Sequence, residues 1–316
     1  MDNNYVLVTG AAGFIGSRLV TRLLEENRNV IALDCFLPNL YSAELKKYRW
    51  SKLREIQTGK LVLCEFDLRV DDFSNLLKYK IDTIYNEAAM PGLSSNWGNF
   101  APYYDCNLSA LNRLLEFSRG LKLNSFVQAS TSSVYGKNAV GPESQELNPT
   151  SPYGVSKLAA EKLLLAYLDW FDIPVKILRY FSVYGPNQRP DMAYAKIIDH
   201  IKNGNEFTIF GDGTQARSNT YIDDVVEATV LADTHAKSGD IINICGDETV
   251  SLNEAISIIE RLTGKKLKIR REATRIGDQK ETSGANFFAK KRLGWNAKTS
   301  IEEGLSIQVK SAFTAK

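Results

Sequence analysis

Tyr153 and Lys157 stand four residues apart, so on a helix they share one face. An ammonium beside a phenol favours the phenolate and draws its pKa down from about 10 toward neutrality. Such a pair is a general base that can take a proton from a hydroxyl while hydride leaves for a nicotinamide. The spacing alone carries little weight, and the context supplies the rest. Thr131-Ser132-Ser133 lies upstream at the end of a strand pattern, where a hydroxyl can relay the proton. A second cluster, Gly10-Ala11-Ala12-Gly13-Phe14-Ile15-Gly16, joins an apolar run to an amphipathic one. Glycines at that junction permit a tight turn, close approach to a pyrophosphate and close strand–helix packing. The helix start then offers its N–H groups to phosphate. Asp34 closes the next apolar run, where a carboxylate grips ribose hydroxyls and repels a 2′-phosphate. Cys35-Phe36-Leu37-Pro38-Asn39 contains no lysine or arginine to welcome that phosphate, so the expected cofactor is NAD rather than NADP.

These groups need a frame to hold them. Apolar runs at residues 5–9, 30–33, 61–66, 83–85, 125–129 and 175–178 read as strands. Helical patterns at 14–27, 71–78, 103–118 and 153–171 lie between them. The alternation predicts a doubly wound parallel sheet covered on both faces, with ligands at the carboxyl ends of its strands. The second half is less regular, with strands expected at 207–210 and 241–245 and helices at 194–203 and 223–232. Ser251-Leu252-Asn253-Glu254 fits a capping box, and Ser300-Ile301-Glu302-Glu303 repeats the signal. There is no clear linker. The fold class is α/β, with two interwoven lobes: residues 1–178, also receiving about 218–245, for the dinucleotide, and 179–316 mainly for substrate.

Composition narrows the partners. A chain of 316 residues fits one large domain or two lobes. With 44% hydrophobic and 24% charged residues, the chain is expected to fold rather than stay disordered. Lys and Arg number 39 against 37 Asp and Glu, a net +2 that gives no electrostatic reason to bind nucleic acid or an anionic membrane. No apolar run reaches the roughly 18 residues of a membrane span, and residues 1–4 lead into a strand without the marks of a signal peptide. Cys35, Cys64, Cys106 and Cys245 are widely spaced and read as buried free thiols of a reducing, cytoplasmic compartment. His200 and His235 have no metal-spaced neighbours, so neither a metal site nor a Ser-His-Asp triad is expected.

Taken together, residues 9–16, Asp67-Leu68, Ala88-Ala89, 131–136, Tyr153 with Lys157, 179–186, 211–217, 221–224 and Gly277-Asp278 resemble the extended short-chain dehydrogenase/reductases. These are the NAD-dependent nucleotide-sugar epimerases and dehydratases, and the resemblance covers nearly the whole chain. Ser95-Asn96-Trp97-Gly98 and residues 179–193 are most similar to the UDP-glucuronate 4-epimerases. The resemblance implies a Rossmann-type sheet. It adds Asp67, Leu68, Ala88, Ala89, Asn107 and Tyr180 to Gly10, Gly13, Phe14, Ile15, Gly16 and Asp34 on the cofactor, with Tyr153 and Lys157 reaching it as well. It assigns the substrate to Ser94, Ser182, Arg189, Phe210, Arg217, Arg275 and Asp278. Arginine suits such places because its planar fork pairs with phosphate or carboxylate.

The family shares oxidation at C4 of the sugar. Dehydratases place an Asp-Glu pair after the threonine, and decarboxylases usually keep a Glu at the second position. Here those positions are Ser132 and Ser133, which favours hydride return and C4 inversion. Thr131, Ser132, Ser133, Tyr153 and Lys157 are thus the expected catalytic set. Departures bear on the sugar: Ser94 replaces a frequent arginine, Asn86 a histidine, Ser182 an asparagine, and Ser218-Asn219 an Asp-Phe pair. UDP-glucuronate is favoured, with UDP-glucose, UDP-N-acetylglucosamine and the sibling decarboxylase or dehydratase reactions as alternatives. A non-catalytic scaffold would be expected to lack Tyr153 or Lys157, and an NADPH-consuming reductase fits poorly with Asp34. Relatives pair the helices matching 103–118 and 153–171 across a two-fold axis, which implies a homodimer. Leu111, Leu114, Leu115, Leu164 and Leu168 either serve that contact or pack on the chain's own sheet.

Overall fold

The side chains of β1 (Asn4–Thr9) alternate between two apolar cores. Val6 and Val8 point into one core with Leu19 and Leu23, and Leu7 points into the other with Leu114 and Leu164. A strand buried on both faces must lie inside a sheet with helices above and below it. The computed structural model describes residues 4–38, 40–92, 98–274 and 280–314. The chain runs through α1 (Phe14–Glu25), β2 (Asn29–Asp34), α2 (Ala43–Leu53), β3 (Lys60–Glu65) and β4 (Lys80–Asn86). Then α3 (Ala101–Tyr104) passes through a π turn at Asp105–Ser109 into α4 (Ala110–Ser118), followed by β5 (Ser125–Thr131), α5 (Pro152–Phe171) and β6 (Val175–Tyr180).

The second half adds β7 (Ser182–Tyr184), α6 (Ala193–Asn203), β8 (Glu206–Phe210), β9 (Ala216–Tyr221), α7 (Ile222–His235) and β10 (Ile241–Ile244). It ends with β11 (Thr249–Ser251), α8 (Leu252–Thr263), β12 (Lys268–Glu272), β13 (Glu281–Thr282), α9 (Phe287–Leu293) and α10 (Ile301–Thr314). The main sheet has seven strands in the order β10-β6-β5-β4-β1-β2-β3. All of its pairings are parallel, as the alternating pattern implied. Four short strands, β11, β9, β13 and β7, and the pair β12–β8 form the second lobe. The strands β7, β9, β11, β12 and β13 carried no periodic signal, since β12 is exposed along its length and the others have two to six residues.

The expected helix at 71–78 is a single 3₁₀ turn, Phe73–Leu76. Phe73 and Leu76 are the buried pair, three apart, and Leu77 turns outward, so nothing apolar supports a second turn. Helix α2 was not expected. The capping box at Ser251 forms in full, with Ser251 accepting from the Glu254 N–H and Glu254 reaching back to the Ser251 N–H. At Ser300 the hydroxyl accepts the Glu303 N–H at 3.3 Å. All four cysteines are free, but Cys245 alone among them is buried, while Cys35, Cys64 and Cys106 are half-buried. Leu111, Leu114, Leu115 and Leu164 lie within the chain's own core.

One buried ion pair ties these layers together. Arg179 on β6 donates to both carboxylate oxygens of Glu161 on α5, at 3.0 and 2.7 Å. The two side chains are 2% and 1% exposed. Ser130 on β5 also donates to Glu161, and Arg179 reaches the Tyr135 hydroxyl at 2.8 Å. That hydroxyl donates to Asn243 on β10 at 2.7 Å. Removing one member of a buried pair strands the other charge. Arg179→Met should therefore cost about 3–5 kcal/mol in urea unfolding, more than Arg179→Met combined with Glu161→Leu. A single variant as stable as the parent would count against this role.

Candidate active site

A cleft of about 300 Å³ opens at the carboxyl ends of the main-sheet strands. Its floor is the turn between β1 and α1. Gly10 has φ +64°, and a Cβ there would stand 2.8 Å from the Ala88 nitrogen at the end of β4, so the two chain segments approach closely because the side chain is absent. Gly13 caps α1 without a side-chain bond, which leaves the first N–H groups of the helix without a side-chain partner at that cap. Asp34, at the end of β2, accepts from the Ala12 N–H at 2.9 Å and the Phe36 N–H at 2.8 Å. Its carboxylate thus fixes the turn as well as facing the cleft, and burial raises its pKa against those two bonds. A donor-rich helix start with a carboxylate one strand over fits a dinucleotide: N–H groups for the diphosphate, Asp34 for a ribose.

At the other end of the cleft, α5 presents Tyr153 and Lys157. Ser151 caps the helix by accepting the Gly154 N–H at 3.1 Å, and Pro152 fits its first turn. A Cβ on Gly154 would come within 2.5 Å of the Ser133 carbonyl oxygen. The absence of that Cβ lets the start of α5 rest directly on the turn after β5, which sets Tyr153 beside Thr131. Thr131 donates to Ser133 Oγ at 3.2 Å and accepts the Ser133 N–H at 3.1 Å. Arg189, from the loop after β7, lines the same end, and Asp191 accepts from its Nε and Nη2 at 3.0 and 2.7 Å.

The electrostatics differ from the expectation. Burial pushes the Tyr153 phenol up to about 12, with Arg189 and Thr131 pulling it down and Glu87 pushing it further up. Burial pushes Lys157 down to about 8, opposed by the charges of Glu87 and Glu161. In the free chain, desolvation outweighs the attraction that was to bring the phenol toward neutrality, and Arg189 is the first cation that acts against it.

Of the expected residues, the cleft collects Gly10, Gly13, Phe14, Ile15, Gly16, Asp34, Asp67, Leu68, Ala88, Ala89, Thr131, Tyr153, Lys157, Tyr180, Ser182 and Arg189. Ser132 and Ser133 sit, half-buried, in the 3₁₀ turn after β5 and are not among the lining residues. Asn107 does not line it. Its amide bonds Met90 N and O and donates to Ser156 at 2.9 Å, which holds the segment after β4 against α5. Phe210 and Arg217 stand on β8 and β9 and are not among the residues that line this cleft. Ser94, Arg275 and Asp278 lie outside the described residues. Asn86, in place of histidine, accepts from Thr9 at 2.5 Å and donates to Gln128 at 2.8 Å, part of a polar rung across β1, β4 and β5.

Three charged cleft residues escaped the sequence reading. Lys46 returns from α2 toward Asp34 and donates to the Leu37 carbonyl at 2.7 Å, so a lysine does stand near that acid. Arg69 is paired with Asp67 at 2.6 Å. Glu87 lines the cleft just beyond β4, and Tyr180 donates to it at 2.9 Å. Its one sequence signal was an acid where a strand pattern runs into alanines.

Residues 6–245 match the model of the NAD dependent epimerase/dehydratase family. The chain is 41% identical to an uncharacterized UDP-glucose epimerase of Bacillus subtilis, YtcB, over 96% of each chain. It is 37% identical to a UDP-glucuronate 4-epimerase of Thermodesulfobacterium geofontis, over 95% of this chain and 94% of that one. The crystal structure of a UDP-glucuronic acid 4-epimerase from Bacillus cereus, in complex with UDP-glucuronic acid and NAD, superposes with a TM-score of 0.92 at 39% identity. That match covers 97% of this chain and 98% of the other.

Because burial dominates at Tyr153, its phenolate should form only above the ordinary value of 10.0 in the free chain. Ultraviolet titration of the nucleotide-stripped protein against Tyr153→Phe reads this directly. A difference signal near neutrality would show that desolvation does not control the group.

Proposed function

The chain belongs to the NAD dependent epimerase/dehydratase family, and within it we propose a nucleotide-sugar 4-epimerase whose substrate is UDP-glucuronate. The observation that carries this reading is the meeting of Thr131, Tyr153, Lys157 and Arg189 at one end of a cleft whose other end is the glycine turn and Asp34. NAD, held along Gly10–Gly16 and Asp34, supplies reversible hydride acceptance at the sugar C4. Tyr153 takes the C4 hydroxyl proton and gives it back to the same oxygen after the 4-keto sugar has turned and hydride has returned to the opposite face of C4. Thr131 holds the hydroxyl beside the phenol. The cations Lys157 and Arg189 offset the charge that appears on Tyr153 when its proton leaves.

The positions after Thr131 are serines, so the local motif supplies no acid to remove a C5 proton. Arg189 keeps Nη1 without a hydrogen bond among the described residues, while Asp191 accepts from Nε and Nη2. That remaining edge suits a sugar carboxylate. Likeness to the Bacillus cereus enzyme bound to UDP-glucuronic acid supports the same choice. The second reading, UDP-glucose, rests on the pairing of Arg189 with Asp191, which already balances its charge. The nucleotide end of the substrate is assigned to Phe210, Arg217, Arg275 and Asp278, and the sugar end to Ser94, Ser182 and Arg189.

The four free thiols are in keeping with a reducing, cytoplasmic setting. Among the described residues no helix is long and apolar enough to cross a membrane. The homodimer across the helices at 103–118 and 153–171 remains part of this proposal. Leu111, Leu114, Leu115 and Leu164 face inward, whereas Leu163, Leu165 and Leu168 are half-buried and Tyr104, Trp170 and Phe171 are 53%, 82% and 42% exposed. Light scattering at micromolar concentration should give twice the chain mass, and a monomer there would remove the dimer.

Incubation with a panel of UDP-sugars and no added NAD should convert UDP-glucuronate to its C4 epimer, with little solvent deuterium at C5. A pentose, a stable 4-keto-6-deoxy sugar or stoichiometric C5 deuteration would move the chain to a sibling reaction. Tyr153→Phe should lower turnover by about 10²–10⁴-fold. Arg189→Ala should reduce turnover of the uronate far more than that of UDP-glucose, and equal losses would remove the carboxylate role.

A further inference from the structure

Glu87 is a carboxylate in the cleft that the reaction as described does not use. It follows β4 and lines the same cavity as Lys157. Its hydrogen-bond partner among the described residues is a neutral phenol, Tyr180, at 2.9 Å. Tyr180 is in turn 2.8 Å from Thr229 Oγ1 on α7, and Thr229 is 2.7 Å from the Val225 carbonyl. This chain can be satisfied in either direction. With Glu87 neutral, protons point from Glu87 to Tyr180, then Thr229, then Val225. With Glu87 ionised, Tyr180 donates to the carboxylate and Thr229 serves Tyr180 or Val225. Neither state leaves a buried polar atom unpaired, and neither needs a heavy atom to move.

Lys157 is 2% exposed, and its ammonium makes no hydrogen bond among the described residues. A buried ammonium without a counter-charge gives up its proton. Two carboxylates act on it, Glu87 and Glu161. Glu161 is already paired with Arg179 at 2.7 Å and accepts from Ser130, so its charge is balanced behind the cleft. Glu87 has no such partner. We propose that Glu87 is the counter-ion that keeps Lys157 protonated, a positioning residue that acts on the reaction through that lysine.

The groups around this pair come from several elements. Tyr153 and Glu161 stand on α5, Tyr85 on β4, and Tyr180 and Arg179 on β6, while Arg189 acts on Tyr153. Burial pushes Glu87 up to about 7, against Tyr180 and Lys157, so the acid and the lysine exchange charge within one narrow range of pH. The charge of Glu87 also opposes the phenolate of Tyr153. Glu87 is the first of the charges sustaining Lys157 but a lesser influence on Tyr153, so its removal is felt chiefly at the lysine.

The test is competitive acylation of the free chain across a pH series, with the peptide bearing Lys157 quantified by mass spectrometry. Lys157 should label with a midpoint near 8 in the parent protein. Glu87→Gln should move that midpoint down by about one pH unit, and Glu87→Asp should restore most of the shift. The alkaline limb of kcat/KM should move in the same direction. An unchanged midpoint in Glu87→Gln overturns the proposal. If that variant fails to fold, Tyr180→Phe carries the test, because loss of the donated O–H makes the carboxylate easier to protonate. Its Lys157 midpoint should fall by a smaller step, and no movement would again overturn the proposal. The inference rests on Lys157 as the catalytic cation, but the labelling needs no substrate. An inactive epimerase assay with a shifted midpoint would sink only the assigned reaction, whereas full activity with an unchanged midpoint would sink only Glu87.

Discussion

The bidentate pair between Arg179 and Glu161 is the constraint on which the catalytic end depends. A helix can slide along a sheet at little cost when only apolar side chains meet, because dispersion has no direction. A buried guanidinium–carboxylate fork fixes both distance and orientation. Here it locks α5 to β6, draws in β5 through Ser130, and reaches β10 through Tyr135 and Asn243. Glu161 lies one helical turn beyond Lys157, and Thr131 follows Ser130 directly. The residues that hold the layers together are therefore immediate neighbours of those that face the cleft. The close seat of Gly154 on Ser133 completes this arrangement from the other side of Tyr153.

The cleft itself trades solvation for charge. Tyr153, Lys157 and Glu87 are all driven toward their neutral forms by burial, and each is held back by a neighbour of suitable sign or by a hydrogen bond. Such a site stores its charges as a mutually dependent set. The protonation of one group alters the cost of charging the next, so apparent titrations belong to the cluster as much as to any residue.

What could be read beforehand was what depends on local pattern. The glycine turn, Asp34, the alternation of strands with helices and the pairing of Tyr153 with Lys157 all rest on spacing, and the fold puts them in one cleft. Helix α2 was hidden for an instructive reason. Its buried residues are Lys46, Arg49, Trp50 and Leu53, a helical i, i+3, i+4, i+7 series in which two of four members are charged. A search for apolar periodicity passes over it, and with it the lysine that returns to Asp34. Asn107 looks like a ligand contact from its type, yet local bonds occupy both ends of its amide. Glu87 could not be placed from sequence, because its meaning comes from Lys157, Tyr180 and Thr229, which reach it from three other elements.

Strand β10 has a consequence for how this protein is made. Six neighbours of the main sheet, β1 to β6, are complete once synthesis passes Tyr180. The seventh, β10, emerges only with Ile241–Ile244, after β7, β8 and β9, which belong to the smaller sheets. Until then β6 presents a bare edge with its backbone N–H and C=O groups unpaired, the kind of surface that recruits a strand from another nascent chain. The lobes are thus not exchangeable cassettes. A recombination breakpoint near residue 180 would sever the sheet from its own last strand, so gene shuffling in this architecture is expected to replace loops rather than halves.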